Sequence, residues 1–130
     1  MKRLIAIAGI IGALALAGCG ASTTAVQTVD PQAFLSTTAQ AGVVVVDVRT
    51  PEEFTAGHLQ DALNINVEDP AFATQIDSLN KAATYAVYCR SGRRSAVATD
   101  AMTAAGFTSV INLNGGLDDL AAAGASVVTE

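Results

Sequence analysis

One run of six residues limits the folds open to this chain more than any other feature of its sequence. It reads Val43-Val44-Val45-Val46-Asp47-Val48. A strand with one solvated face alternates apolar and polar side chains, whereas this run is apolar on both faces apart from Asp47. The run therefore predicts a strand of a sheet that is covered on both sides.

Three further runs have the length and composition of buried strands, namely 62–65, 85–88 and 110–113. Helix starts are marked between them by prolines, each of which follows a residue that caps helices well. The three pairs are Asp30-Pro31, Thr50-Pro51 and Asp69-Pro70. We therefore expect a helix to begin at each of these prolines.

The first of these helices is expected over residues 31–40, and the spacing from Thr50 to Glu53 is that of a capping box. Two more helices are expected near the carboxyl terminus, where glycine provides the natural end of a helix. They are 94–105, before Gly106, and 117–123, before Gly124.

Strands that alternate with helices imply right-handed crossovers and a mainly parallel sheet between helical layers. The chain of 130 residues, less a removable leader, has room for one such domain and shows no internal repeat. Binding sites in these folds gather at the carboxyl ends of the strands. Cys89 directly follows the strand expected at 85–88, and it is therefore a candidate site residue.

The amino terminus has the features of an export signal. Lys2 and Arg3 precede an uncharged apolar run, 4–17, which is short for a membrane span of roughly twenty residues. The segment then ends in Leu16-Ala17-Gly18-Cys19, which resembles the lipobox of bacterial lipoproteins. That resemblance implies cleavage before Cys19 and a diacylglycerol on its thiol. A transmembrane anchor is the alternative interpretation.

On the lipoprotein interpretation the chain divides into a signal peptide at 1–18, a lipidated Cys19 with a tether at 19–29, and a domain at 30–130. The domain would be held at the cell membrane, outside the cytoplasm. Lipidation of Cys19 would leave Cys89 as a lone thiol in an oxidising compartment, where an unpaired thiol is a liability unless it reacts.

The segment that follows Cys89 is suited to holding a thiolate. It reads Cys89-Arg90-Ser91-Gly92-Arg93-Arg94-Ser95. Backbone N–H groups of a turn that contains Gly92 can surround the sulfur, and the helix that follows adds partial positive charge. The three arginines act in the same direction, so the pKa of Cys89 is expected below that of a free thiol. Three positive charges at a helix start also oppose its dipole unless an anion binds between them.

The distribution of charge favours a small anionic ligand. The net charge is −5, and removal of Lys2 and Arg3 leaves 12 acidic against 5 basic residues. Nucleic acid requires a basic surface, which this chain lacks, so we expect no nucleic-acid partner. One histidine and one thiol without ligand spacing predict no metal site.

Three segments in combination resemble the rhodanese family, over about residues 25–130. They are 47–54 with Gly57-His58-Leu59, then 88–95, then Gly106-Phe107 with 112–116. The resemblance implies a three-layer α/β/α domain with a five-stranded, mainly parallel sheet. It also implies that Cys89 takes a sulfane sulfur from a donor such as thiosulfate or a persulfide, becomes a persulfide, and passes the sulfur to a thiol or cyanide.

In that mechanism the anion-binding loop is Arg90, Ser91, Gly92, Arg93, Arg94 and Ser95, with Arg49 as an accessory residue, and no cofactor is needed. Asp47, Arg49 and Glu53 would be ion-paired scaffold. Two positions depart from many relatives: Asp61 stands where a glycine is common, and Leu120 near where a tryptophan is common.

Other functions remain open from the sequence. A sulfane-sulfur carrier, a redox sensor or a silent binding module would use the same fold. Phosphatases of the cell-cycle type also use it, but their signature places arginine six positions after the cysteine, where this chain has Ser95. His58 is the only histidine and would suggest a Cys-His pair, but the family resemblance places it in a structural turn.

Overall fold

The computed structural model describes residues 25–130. The predicted signal peptide at 1–18 and the predicted lipid site at Cys19 lie outside these residues. Within the described part, no helix has the length and apolar character needed to cross a membrane.

Seven strands occur between residues 25 and 130. They are β1 (Val26–Val29), β2 (Val43–Asp47), β3 (His58–Leu59), β4 (Leu63–Asn64), β5 (Thr84–Tyr88), β6 (Ser109–Leu113) and β7 (Val127–Val128). Five of them form a sheet in the order β1-β6-β5-β2-β4 with every neighbouring pair parallel. The other two, β3 and β7, form a small antiparallel pair.

Five helices cover the two faces of this sheet. They are α1 (Pro31–Thr38), α2 (Pro51–Ala56), α3 (Phe72–Asp77), α4 (Arg93–Ala104) and α5 (Leu117–Ala122). Phe34 of α1 and Leu120 of α5 pack in the core on one face, whereas Ile76 of α3 and Met102 of α4 pack in the core on the other. The three-layer fold with a five-stranded parallel sheet, expected from the sequence, is confirmed.

Side chains of the central strands alternate between these two cores. On β5, Tyr85 and Val87 face α3 and α4, whereas Ala86 and Tyr88 face α1 and α5. The strand is apolar on both faces because both faces are buried, which is the physical reason that a run such as Val43–Asp47 contains so few polar residues.

Two of the predicted helix caps are present. The Asp30 carboxylate accepts a hydrogen bond from Ala33 N (2.8 Å), and the Thr50 hydroxyl accepts one from Glu53 N (3.3 Å). The third predicted start, Pro70, is wrong by two residues, because α3 begins at Phe72. The Asp69 carboxylate instead accepts from Ala71 N (2.8 Å), which forms a local turn that competes with helix initiation.

The helix ends lie close to those expected. The first helix ends at Thr38 rather than at residue 40, and α4 spans 93–104 rather than 94–105. Gly106 (φ +98°) and Gly124 (φ +101°) follow α4 and α5 in the left-handed conformation that glycine tolerates.

The amino-terminal boundary of the domain differs from the expected one. The sequence predicts a tether over 19–29, but residues 26–29 form β1, which pairs with β6 from Val26↔Val110 to Val29↔Leu113. Both middle residues of the strand are exposed, as expected for an edge strand. The sheet therefore begins before residue 30.

Candidate active site

The sheet brings Cys89 to the place where parallel folds put their sites. Tyr88 is the last residue of β5 and pairs with Asp47, the last residue of β2. Cys89 follows at the carboxyl edge of the sheet and is fully buried (0% exposed). It is a free cysteine. The segment from 89 to 95, which we call the cysteine loop, runs from this strand end into the first turn of α4.

Backbone geometry in the cysteine loop directs N–H groups at the sulfur. Gly92 N donates to Cys89 Sγ at 3.0 Å. Gly92 has φ +100°, a left-handed conformation that a residue with a Cβ adopts only with strain. The turn therefore depends on glycine at this position, as the sequence predicted.

The environment of Cys89 favours its thiolate. Burial raises the pKa of the thiol, but hydrogen bonds from the Ser95 side chain and from the backbone N–H groups of Ser95, Ser91 and Gly92 outweigh it, so the pKa is lowered. The Ser95 hydroxyl also lies 3.1 Å from the Gly92 carbonyl oxygen, so its single proton has two acceptors. The predicted direction of the pKa shift is confirmed, and hydrogen bonds rather than arginine charges are its main cause.

The three arginines of the cysteine loop differ in what they bind. Arg94 donates two hydrogen bonds to the Glu53 carboxylate (2.7 and 2.9 Å) and lies 3.6 Å from Glu68. These hydrogen bonds hold the pKa of Glu53 at about 2, against the opposing effect of burial. The expectation that all three arginines are available to bind an anion is therefore wrong for Arg94, because Glu53 already neutralises its charge.

Arg90 and Arg93 have no such partner. Both are exposed, and neither has a carboxylate within 4 Å among residues 25–130. They are the two positive charges of the cysteine loop that remain available to a ligand.

Arg49 is held by the scaffold. Its guanidinium donates to Asp47 through Nε (3.0 Å) and Nη2 (2.6 Å), and Nη2 also donates to the Gly57 carbonyl (2.6 Å). Burial lowers the pKa of Arg49, but the hydrogen bond to Asp47 and its charge outweigh burial and raise the pKa. The predicted Asp47–Arg49 ion pair is present, whereas Glu53 pairs with Arg94 on α4.

His58 also contacts scaffold atoms. Its Nδ1 lies 2.8 Å from the Phe54 carbonyl oxygen, and its ring stacks on the Phe54 ring with centroids 3.7 Å apart. Neither interaction involves Cys89. These contacts agree with the structural role that the family resemblance implied for His58.

Two glycines after β6, Gly115 and Gly116, pack closely against the backbone of the cysteine loop. The sequence alone did not predict this role. A Cβ on Gly116 would overlap the Arg90 carbonyl, and a Cβ on Gly92 would lie 3.4 Å from the Gly115 oxygen. The next residue, Leu117, donates its N–H to the Cys89 carbonyl (3.2 Å). The pair of adjacent glycines, one residue after the end of β6, is the sequence feature that indicates close backbone approach.

Two clefts flank the cysteine loop. The first, of about 230 Å³, lies between α2 and α5 and is lined by Arg49, Glu53, Ala56, Arg90, Leu117 and Asp118. The second, of about 280 Å³, which we call the α4 cleft, is lined by Val67, Glu68, Arg93, Arg94 and Val97. A larger cleft of about 440 Å³ is lined by Val43–Val45 at the start of β2 and contains no residue of the cysteine loop.

A sequence model of the rhodanese-like domain matches residues 30–123. This chain belongs to the rhodanese-like family.

Among its relatives, the radish senescence-associated protein DIN1 is 39% identical over 60% of this chain and 48% of its own length. Thiosulfate sulfurtransferase PspE of Escherichia coli is 38% identical over 58% of this chain and 72% of its own length. The chain thus spans about half of the radish protein and a larger share of the bacterial one.

Solved structures of rhodanese-like proteins share the fold. A rhodanese-related protein from Thermoplasma volcanium superposes with a TM-score of 0.70 at 25% identity, over 80% of this chain and 99% of that protein. A rhodanese from Escherichia coli with anions gives 0.55 at 33% identity, over 68% and 99%.

The two positions that depart from the family pattern have distinct structural roles. Asp61 has φ +66° and is the one non-glycine residue between 25 and 130 with a positive φ. A glycine there would relieve backbone strain, which is a physical reason for the glycine that the family resemblance implies at this position. Leu120 is fully buried and packs in the same core cluster as Phe34 and Tyr88.

Proposed function

We propose that this protein is a sulfurtransferase in which Cys89 carries a sulfane sulfur as a persulfide. The observation that carries the proposal is the Cys89 thiol itself: Gly92 N donates to its Sγ at 3.0 Å, and the surrounding donors lower its pKa. A thiolate is the form that attacks sulfur.

In the first step the Cys89 thiolate attacks the outer sulfur of thiosulfate. A new S–S bond forms to Sγ, the S–S bond of thiosulfate breaks, and sulfite leaves with the bonding electron pair. Arg90 and Arg93 are the unneutralised charges that attract the dianion and stabilise the leaving sulfite. The N–H groups that hold the thiolate then hold the persulfide, which is also anionic.

In the second step a thiophilic acceptor, cyanide or a thiolate, attacks the outer sulfur. The S–S bond to Sγ breaks and Cys89 leaves as the thiolate that began the cycle. No group of the chain must gain or lose a proton, because the loop stabilises the charged form of Cys89 throughout. His58 is therefore not required as a base.

Relatives whose names include thiosulfate sulfurtransferase support transfer of sulfur in general. A carrier or redox sensor would use the same persulfide without rapid turnover. The phosphatase alternative is disfavoured, because the sixth position after the cysteine, where that signature has arginine, is Ser95, and Arg94 at the fifth position is bound to Glu53.

The proposal includes a location. The resemblance of Leu16-Ala17-Gly18-Cys19 to a lipobox supports a protein that is lipid-anchored at Cys19 on the cell membrane and faces outside the cytoplasm. Metabolic labelling with a fatty acid of the wild type and of Cys19→Ala tests this part separately from the chemistry. Equal labelling of both proteins would contradict it.

The deciding experiment is a thiosulfate:cyanide assay, followed as thiocyanate, on the chain without residues 1–19. Wild type is expected to turn over, and Cys89→Ser to retain no activity above the uncatalysed rate. Intact mass of the thiosulfate-treated protein is expected to rise by one sulfur atom in wild type alone. A persulfide without turnover would favour the carrier, and no added sulfur would contradict the mechanism.

A further inference from the structure

The outer face of α4 carries an apolar side chain beside the cysteine loop. Val97 is 59% exposed, more than Leu63 (42%) or Val127 (41%), the other exposed large apolar residues between 25 and 130. It lies one turn after Arg93, so both side chains are on the same face of the helix. Single exposed valines are common, and the position of Val97 matters only together with its neighbours.

Val97 forms one wall of the α4 cleft. Val67, which is half-buried, forms another wall, and the remaining lining is Glu68, Arg93 and Arg94. Arg94 is bound to Glu53, whereas Arg93 has no carboxylate partner in the described part of the chain. The cleft therefore offers two apolar side chains and, at its end beside the cysteine loop, the Arg93 charge, while the Glu68 carboxylate lies 3.6 Å from Arg94.

The surface from the cysteine loop to Val97 is longer than a small sulfur donor could contact at one time. At 1.5 Å of rise per residue, Val97 lies about 6 Å along the helix axis beyond Arg93. Thiosulfate has five heavy atoms and bears no apolar group. The surface is instead suited to a macromolecule that contacts the loop and the cleft together.

The charges indicate which macromolecule. Arg90 and Arg93 lie at the amino-terminal end of α4, where positive charge opposes the helix dipole. A partner with carboxylates around its reactive group offsets this cost, whereas a basic partner increases it. The rest of the chain is acidic, so these two residues also determine the orientation of an approaching acidic protein.

We infer that the acceptor of the Cys89 sulfur is a protein thiol that docks on the α4 cleft, with an apolar residue against Val97 and Val67 and carboxylates near Arg90 and Arg93. The inference rests on the proposed function. The partner thiolate attacks the outer sulfur of the persulfide, that sulfur bonds to the partner, and Cys89 leaves as thiolate. The partner's thiol proton has already passed to solvent.

Burial of Cys89 is compatible with a large acceptor. The acceptor attacks the outer sulfur, which an S–S bond places about 2 Å beyond Sγ. The partner therefore does not need to reach the buried Sγ itself.

Peptide acceptors test the recognition. Each peptide has about nine residues and carries one cysteine flanked by leucine and glutamate. An extended peptide of this length, at ~3.3 Å per residue, is long enough to cover both the cysteine loop and the α4 cleft. One variant replaces glutamate by lysine and another replaces leucine by serine. With persulfidated wild type, the acidic apolar peptide is expected to react at least ~10-fold faster, as kcat/KM, than either variant.

Val97→Ser removes the apolar contact without adding charge, and Val127→Ser is the matched control on a valine outside the cleft. Val97→Ser is expected to lower kcat/KM for the acidic apolar peptide ~5-fold and to leave thiocyanate formation unchanged. Val127→Ser is expected to change neither. The docking inference would be overturned if the three peptides react at equal rates, or if the two valine variants react with the peptide at equal rates. In both cases thiocyanate formation by wild type would show that the proposed function still holds. Absence of thiocyanate formation in wild type would overturn the proposed function itself.

Discussion

The charged side chains at two neighbouring strand ends of the same sheet differ in whether the fold neutralises them. At the end of β2, Asp47 and Arg49 are both buried and satisfy each other at 2.6 Å. At the end of β5, the cysteine loop leaves Arg90 and Arg93 without carboxylate partners among residues 25–130. A charge that is neutralised within the fold supports the scaffold, whereas a charge that stays unneutralised beside a nucleophile is available to a ligand.

Removing one charged side chain at each strand end tests this difference most directly. Asp47→Ala leaves Arg49 buried without its carboxylate, and we expect the free energy of unfolding to fall by about 3–5 kcal/mol. Arg90→Ala removes an exposed charge and is expected to leave stability nearly unchanged while thiosulfate turnover falls. Urea denaturation of both variants measures the difference. Similar losses of stability would contradict the division into scaffold and site.

The next largest effect concerns the donors around Sγ. Ser95→Ala removes a hydroxyl that helps to lower the pKa of Cys89, so this pKa is expected to rise and the reaction with iodoacetamide to move to higher pH. A hydrogen bond to a charged group contributes roughly 1.5 kcal/mol, so the rate at pH 7 is expected to fall ~10-fold.

The matched control for Ser95 is Thr99→Val, since the Thr99 hydroxyl is also buried on α4 but bonds to the Ala96 carbonyl. Its alkylation profile is expected to coincide with that of wild type. A profile for Ser95→Ala that does not move would indicate that the backbone donors alone stabilise the thiolate.

A smaller effect is expected at the ion pair that joins α2 to the cysteine loop. Glu53 has its pKa lowered to about 2, so its contribution to stability is present above its ordinary pKa, near 4.5, and is lost as pH falls through about 2. The pair is partly exposed, which limits the contribution to about 1 kcal/mol.

Glu53→Gln is therefore expected to be less stable than wild type by about 1 kcal/mol at pH 7 and equally stable near pH 2. Urea curves at pH 7, 4 and 2 measure this. Glu52→Gln, on the exposed side of the same helix turn, is the control. A difference that persists at pH 2 would show that the amide, rather than loss of charge, destabilises the variant.

The smallest expected change in stability comes from relieving backbone strain at Asp61. Gly92 and Asp61 both have positive φ, but only Gly92 lies in the cysteine loop. Asp61→Gly is expected to stabilise the protein by about 0.5 kcal/mol without changing turnover, since relief of strain is partly offset by a more flexible unfolded chain. Thermal unfolding measures the gain, and a lower Tm would contradict the assignment of strain to Asp61.

Much of this architecture was predictable because it depends on local signals. Apolar runs marked β2, β5 and β6, and capping residues such as Asp30 and Thr50 marked helix starts. The edge strand β1 was missed because two of its four residues are exposed and its neighbours are small and polar, so neither periodicity nor composition separated it from a tether.

Within the site, the sequence identified Cys89 and Gly92, since their chemistry follows from residue type and position. It did not reveal that Arg94 forms an ion pair with Glu53, 41 positions away, because long-range ion pairs depend on how helices pack. The support that Gly116 gives to Arg90 was hidden for the same reason: only the close approach of β6 to the loop makes a Cβ intolerable there.

The direction of β1 has a consequence for how the molecule presents its thiol. Because β1 runs parallel to β5, Val26 lies at the amino edge of the sheet and Val29 at the carboxyl edge, the side of Cys89. Three residue steps, at ~3.3 Å each, separate Val26 from Val29 by roughly 10 Å. On the proposed anchoring at Cys19, the chain would enter the sheet at its amino edge, and the cysteine loop would lie at the opposite edge, away from the point of attachment.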